Sequence, residues 1–133
     1  MITLDIITPE KFLVHAEDVS IVTLRTVEGE IGILPDHVPL YSQLTEGELR
    51  YKQHGEDHYV AIHGGFLSVA HNVVTVLADA AARCEDLDIS VIEEARRQAE
   101  EAMRQKLSAE DFALAEANLR RALLNLRVAQ RKK

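Results

Sequence analysis

The sequence predicts an antiparallel β-sandwich or flattened barrel followed by an antiparallel αα-hairpin, in that order along one chain. Three observations carry this. Short alternating or β-branched runs, bounded by Gly, Pro, Asn or Asp, fill the first ~80 residues. From Ser90 on there is no glycine and no proline, and Ala, Glu, Arg and Leu dominate. Serine-led cap patterns at Ser90 and Ser108 divide that second region into two helices.

The strands come first. Ile2, Leu4 and Ile6 alternate with Thr3 and Asp5. Val19, Ile21, Thr23 and Arg25 alternate with Ser20, Val22 and Leu24, which offers apolar atoms to both faces. Tyr59, Ala61 and His63 alternate with Val60 and Ile62, and Val73 to Asp79 is a dense β-branched run. Turn signals fall at Pro9-Glu10, Glu28-Gly29, Glu46-Gly47, His54-Gly55, Gly64-Gly65 and His71-Asn72. The texture changes near Cys84, so the expected division is a sandwich over residues 1–83, a linker over 84–89 and a hairpin over 90–133.

In the hairpin, Ser90-Val91-Ile92-Glu93 fits a capping box, and Ser108-Ala109-Glu110-Asp111 repeats it with aspartate in the glutamate role. Helices are expected over roughly 90–107 and 109–131. Their seams step by three and four: Ile92, Ala95, Ala99 and Ala102 in the first, and Phe112, Ala115, Leu119, Ala122, Leu126 and Ala129 in the second. Alanine permits close approach but buries little area, so the hairpin is only marginally cohesive by itself. Leu123, Leu124 and Val128 sit off the seam and require another surface. Both a permanently docked hairpin and one that docks and releases satisfy this pattern.

The totals set limits on function. The 133 residues carry a formal charge of −7, with 47% hydrophobic and 28% charged residues, which suits one core plus an appendage. The acidic balance argues against general nucleic-acid binding. No apolar run approaches the ~20 residues of a membrane span, and the start lacks the basic-then-apolar order of a signal peptide. Cys84 is the single cysteine, which excludes an internal disulfide. After Glu116 there is no acid, while Arg120, Arg121, Arg127, Arg131, Lys132 and Lys133 add six positive charges; subtracting those from −7 leaves −13 on the rest. Such an end fits an intramolecular contact, an acidic partner, or cations favoured by a helix C-terminus.

No catalytic constellation emerges. His54 and His58 are four apart but flank a turn, and His15, His37, His63 and His71 fall in separate turns and strands, so no metal site is expected. Cys84 has no nucleophile motif around it. Gly64-Gly65 leads into a strand rather than a helix, which excludes a phosphate loop and favours close backbone approach or a bulge. Glu85-Asp86-Asp88 and Glu93-Glu94 read as linker and solvated helix face.

One segment fits neither strand nor loop. In EGEIGILPDHVPL, Glu28 to Leu40, two glycines and two prolines interrupt Ile31, Ile33, Leu34, Val38 and Leu40. Gly29, Gly32, Pro35 and Pro39 shape a compact turn–strand–turn, with Ile33 and Leu34 anchored inward and Glu28, Glu30 and His37 facing partners. This segment, then GELRYK, HGGFLSV and VTVLADAAARCEDLD, and then a charged Ala-rich hairpin, closely resembles the epsilon subunit family of F-type ATP synthase, whose mitochondrial counterpart is called delta.

The resemblance implies a non-catalytic rotor subunit, coupling proton-driven c-ring rotation to ATP synthesis through the gamma subunit. It places gamma and c-ring contacts on Glu28, Gly29, Glu30, Ile31, Gly32, His37, Pro39 and Leu40. It places an inhibitory contact with the alpha and beta subunits on Arg120, Arg121 and Arg127. It implies no cofactor and a peripheral position at the cytoplasmic face of a bacterial plasma membrane, or alternatively at the stromal face of a thylakoid. Departures are informative. Asp36 replaces a usual glycine, and Ser68 a usual glutamate. Many relatives carry [Ile/Leu]-Asp-x-x-Arg-Ala, whose arginine helps bind a regulatory ATP; here Leu87 and Asp88 remain, but Val91 and Ile92 stand for the Arg-Ala pair. Weak or absent ATP binding is therefore expected. Competing readings are a free-standing β-sandwich adaptor, a nucleotide sensor disfavoured by the missing arginine, and last an enzyme.

Overall fold

The computed structural model describes residues 1–132; Lys133, which belongs to the basic end, lies outside the described residues. Two compact units result, one of Met1–Arg83 and one from Cys84 on.

The first unit contains β1 (Ile2–Ile7), β2 (Phe12–Thr26), β3 (Gly29–Ile33), β4 (Leu40–Gln53), β5 (Glu56–Ala70), β6 (Val73–Ala78) and β7 (Ala81–Arg83). The strands run in the order β1-β6-β5-β4-β2-β3, and β1 also pairs with β2. That last ladder closes β1, β6, β5, β4 and β2 into a five-stranded barrel, with β3 outside it on β2 and β7 on β5. All ladders are antiparallel except β1 with β6, where Leu4 faces Val74 and Ile6 faces Val76 in parallel register. The first strand can pair both ways because it enters between the last long strand and its own hairpin partner.

Period-two alternation sends one side of each strand inward. Ile2, Leu4, Ile6, Val19, Val22, Leu24, Ile33, Leu49, Val60, Leu67, Val74 and Val76 are almost wholly buried and form one cluster. Two expected turns are not turns. Glu46-Gly47 and Gly64-Gly65 lie inside β4 and β5, whose lengths of 14 and 15 residues carry them around the barrel. Gly47 sits where the β2–β4 register shifts between Thr23 and Thr26, and a Cβ there would be 3.0 Å from that of Arg25. Gly65, at φ +131°, comes so near β6 that a Cβ would lie 2.1 Å from the Leu77 carbonyl oxygen. The glycine pair thus marks close backbone approach.

The second unit opens with a 3-10 turn at Cys84–Asp86, then α1 (Ile89–Met103) and α2 (Ala109–Ala129). The α1 cap differs from expectation. Asp88 is the N-cap, and its carboxylate accepts from the Ser90 amide at 2.9 Å and the Ser90 hydroxyl at 2.7 Å. An ionised acceptor at a helix N-terminus gains from the dipole, which is why it displaces serine. Those bonds hold the Asp88 carboxyl below its ordinary value, with the Lys132 charge a smaller contributor. Ser108 does cap α2, accepting from the Asp111 amide at 3.1 Å. The first helix ends at Met103 rather than near 107, and Gln105–Leu107 form the connection.

The seam is thinner than its pattern. Ile92, Ala99, Ala115, Ala122, Leu126 and Ala129 are buried, but Phe112 is 40% exposed and Ala95 is exposed as well. Off the seam, Leu124 and Val128 are buried and Leu123 is exposed.

Gly65→Ala should lower sandwich stability by at least about 2 kcal/mol, because both the positive φ and the Leu77 carbonyl oppose a side chain. Denaturant unfolding monitored by far-ultraviolet circular dichroism measures this; a loss below about 0.5 kcal/mol would contradict the packing described.

Candidate interaction surfaces

The segment from Glu28 to Leu40 is built around Thr26. Its buried hydroxyl accepts from the Glu28 amide at 3.1 Å and donates to the Gly29 carbonyl at 3.0 Å, which fixes the turn into β3. The Val27 amide donates to the Gln43 carbonyl at 3.0 Å and ties this turn to β4. In β3, Ile33 is buried and Ile31 packs against the core, while Glu30 and Gly32 are exposed. Glu30 stands opposite Arg25 in the β2 ladder, and β3 pairs only with β2. One strand edge therefore presents Glu28, Gly29, Glu30 and Gly32 outward.

Beyond β3 the chain turns sharply. Asp36 adopts φ +66°, the left-handed region its usual glycine counterpart would enter freely. Its amide donates to Asn72 Oδ1 at 2.6 Å, and Asn72 Nδ2 donates to Asp36 Oδ1 at 3.1 Å, clamping this turn onto the β5–β6 turn. Leu34 is 57% exposed, so the expected inward anchor is Ile33 alone; after Ile33 the chain leaves the strand and Leu34 loses the inward face. His37 is half-buried, with Nδ1 2.7 Å from the Val38 carbonyl oxygen. Pro39 is exposed, and Leu40 packs against the core.

Sequence reasoning missed a neighbouring surface. Tyr41, Phe66 and Leu77 point outward from β4, β5 and β6, at 72%, 46% and 49% exposure. Tyr41 and Phe66 stack with centroids 6.1 Å apart. Phe66 faces Leu77 on one side and Gln43 on the other, and Gln43 is the residue that holds the Val27 turn. The apolar patch and the acidic strand edge are continuous. The available signal was parity: Phe66 and Leu77 occupy positions where an outward polar residue is expected.

The second unit carries a groove of about 770 Å³ between α1 and α2, lined by Ala95, Ala99, Ala102 and Ala115 among others. Its charged lining is Asp86, Asp88, Asp111 and Arg121, three acids to one base. Leu87 is buried and Asp88 caps α1, so the residues left from the nucleotide motif serve the helix start; Val91 is exposed and Ile92 buried. This lining suits a polyphosphate poorly. The three arginines do not share one face. Arg121 lines the groove, Arg120 bonds Glu116 at 3.2 Å, and Arg127 stands exposed in the last turn of α2.

The histidines scatter. His58 stacks on Tyr51 at 4.8 Å, and His54 lies in the β4–β5 turn. His15 is different: its Nδ1 lies 2.5 Å from Asp5 Oδ1 and its Nε2 3.6 Å from Glu17 Oε1. The Asp5 hydrogen bond first, then the charges of Asp5 and Glu17, hold the imidazole above its ordinary value.

These features define a two-part binding protein: a closed barrel with a continuous acidic and apolar outer surface, and a separate, thinly sealed helical hairpin. Residues 1–84 match the ATP synthase delta/epsilon chain β-sandwich domain, and residues 85–130 match the long alpha-helix domain of the same chain. The chain belongs to the delta/epsilon chain family of ATP synthase. It is 48% identical to an ATP synthase epsilon chain from Herpetosiphon aurantiacus, across 97% of this chain and 94% of that one. It is 46% identical to one from Nitratidesulfovibrio vulgaris, across 94% and 92%. Among solved structures, a chain of the Euglena gracilis mitochondrial ATP synthase, resolved as OSCP/F1/c-ring, superposes with TM-score 0.80 at 27% identity, covering 97% of this chain and 81% of that one. Among the described residues no helix is long and apolar enough to cross a membrane.

Because protonation of His15 is favoured by Asp5 in the folded chain, its stabilising effect is present at low pH and is lost as pH rises through the folded pKa. In an NMR titration His15 should deprotonate above the ordinary histidine value, and Asp5→Asn should bring it down toward that value. An unchanged His15 curve in that variant would show that the carboxylate is not the cause.

Proposed function

We propose that this chain acts as the epsilon subunit in the central stalk of an F-type ATP synthase, at the cytoplasmic face of the membrane. It works through binding free energies, transmitting c-ring rotation through the gamma subunit, and no cofactor enters. The observation that carries this reading is the continuous outer surface on the barrel. The exposed Tyr41, Phe66 and Leu77 form an apolar face of the kind that partner docking covers. Gamma is its occupant in this reading, reached also by His37, Pro39 and Leu40. The adjoining β3 edge, with Glu28, Gly29, Glu30, Ile31 and Gly32, meets the polar loops of the c-ring, where a carboxylate makes a charge-assisted bond to an arginine. The family membership, and the Euglena assembly resolved with F1 and c-ring, support this choice of partners.

Labour divides along the chain. Residues 1–83 bind gamma and the c-ring, 84–89 form the linker, and the hairpin from 90 restrains ATP hydrolysis through Arg120, Arg121 and Arg127 against the alpha and beta subunits. The thin alanine seam supports a hairpin that can leave its compact form.

Two experiments test the halves separately. Glu30→Lys should uncouple proton flow from ATP synthesis while the complex still assembles, whereas Phe66→Glu should abolish co-purification with gamma; a fully coupled Glu30→Lys enzyme would remove the c-ring assignment. Truncation after Asp86 should raise ATP hydrolysis by the assembled enzyme several-fold. Unchanged hydrolysis across nucleotide conditions would make the hairpin structural rather than inhibitory.

A further inference from the structure

The two helices are joined covalently at one end only, through Gln105–Leu107. At the other end the start of α1 and the finish of α2 are held by non-covalent contacts. Leu87, Ile92, Leu126, Val128 and Ala129 are buried at this end, and a groove remains between the helices. Among the described residues, a polar contact spans this open end. Lys132 Nζ donates to the Leu87 carbonyl, across 45 residues of sequence.

The geometry is local and well supported on both sides. Leu87 is buried, and its amide donates to the Cys84 carbonyl at 3.2 Å, so the acceptor is fixed by the 3-10 turn before it. Its carbonyl precedes the N-cap and belongs to no helical ladder, which leaves it open to an outside donor. After α2 the chain stays tightly turned: the Arg131 amide donates to Val128 at 3.0 Å and the Lys132 amide to Ala129 at 3.3 Å, which carries Lys132 back toward α1. Asp88, the next residue along, caps α1 with its carboxylate and lies near enough for the ammonium charge to act on it.

We propose that Lys132 is a latch for the compact hairpin, its ammonium fastening the end of α2 to the Leu87 carbonyl beside the Asp88 cap. Opening the hairpin requires this bond to break. A protonated amine on a fixed carbonyl is a charge-assisted bond, stronger than an ordinary neutral one. Beside the groove between the helices, such a contact adds to the buried apolar residues in setting the opening equilibrium. The latch is a property of the isolated chain and stands whether or not the assembly reading holds.

Hydrogen–deuterium exchange on the full chain tests it, with variants Lys132→Ala, Lys132→Glu and Lys132→Arg. Amides in the first turns of α1 and the last turns of α2 should exchange about tenfold faster in Lys132→Ala, and faster still in Lys132→Glu. Lys132→Arg, which keeps a charged donor, should stay within about twofold of the parent. Amides of β5 should be unchanged in all three and report the intact sandwich. Arg120→Gln removes a charge from the same helix and should leave the open end unaffected. The latch is overturned by parent-like exchange in Lys132→Ala, by equal acceleration in Lys132→Arg, or by acceleration extending into β5.

Discussion

Closure of the barrel by β1 is the constraint on which the rest of the first unit depends. This six-residue strand pairs antiparallel with β2 and parallel with β6, so the five ring strands have no free edge among themselves. Inside, Ile2, Leu4 and Ile6 are essentially inaccessible and the core is complete without help from the outer faces. That completeness gives outward apolar residues their meaning. Tyr41, Phe66 and Leu77 are not needed to seal the interior, and their exposure is a cost in water. Only β3 and β7 lie outside the ring, and β3 carries the acidic edge.

Much of this architecture is legible in the residues, and the failures have physical reasons. Alternation at Ile2–Ile6 identifies a strand with one buried face, whereas Val60, Ala61, Ile62 and His63 are all buried, on both faces of β5. Glycine misleads at Gly47 and Gly64-Gly65, since the same freedom that makes turns also lets a long strand bend or lie against another backbone. Pairing partners are not encoded locally, so the parallel β1–β6 ladder could not be read from alternation. At Leu34, composition suggested an anchor, but the break after Ile33 decides orientation. The Glu28–Gly32 edge was identifiable because its residues are contiguous. The Tyr41–Phe66–Leu77 patch was not, because its members come from three strands and meet only through register.

The second unit is held differently. On α1, Arg97 is bonded to Glu94 at 2.7 Å and Glu101 at 2.8 Å, and Arg96 to Glu100 at 2.8 Å. These pairs lie within one helix and need no neighbour. The Arg97 guanidinium is held above its ordinary range and the Glu94 carboxyl below its own, each mainly by the bond between them. With Asp88 capping its start, α1 carries its own support. What lacks support is the contact between helices, where alanines replace the larger side chains that usually fill such a seam.

In the proposed inhibitory role the cations of the basic end have two uses that compete. In the compact form Arg120 is engaged by Glu116, Arg121 lies along the acid-lined groove, and Lys132 is spent on the Leu87 carbonyl. Each of these contacts has to be exchanged before the same charge can meet an acidic partner. The net positive charge that would draw the helix toward such a surface is thus partly what keeps it folded back. Arg127 is exposed in the last turn, away from the groove and on the same face of α2 as Arg120. In that proposed role, attraction at the exposed Arg127 would act over about one Debye length, ~8–10 Å, while Arg121 and Lys132 would be released only on contact. Under that proposal, opening depends on what the partner offers rather than on charge alone.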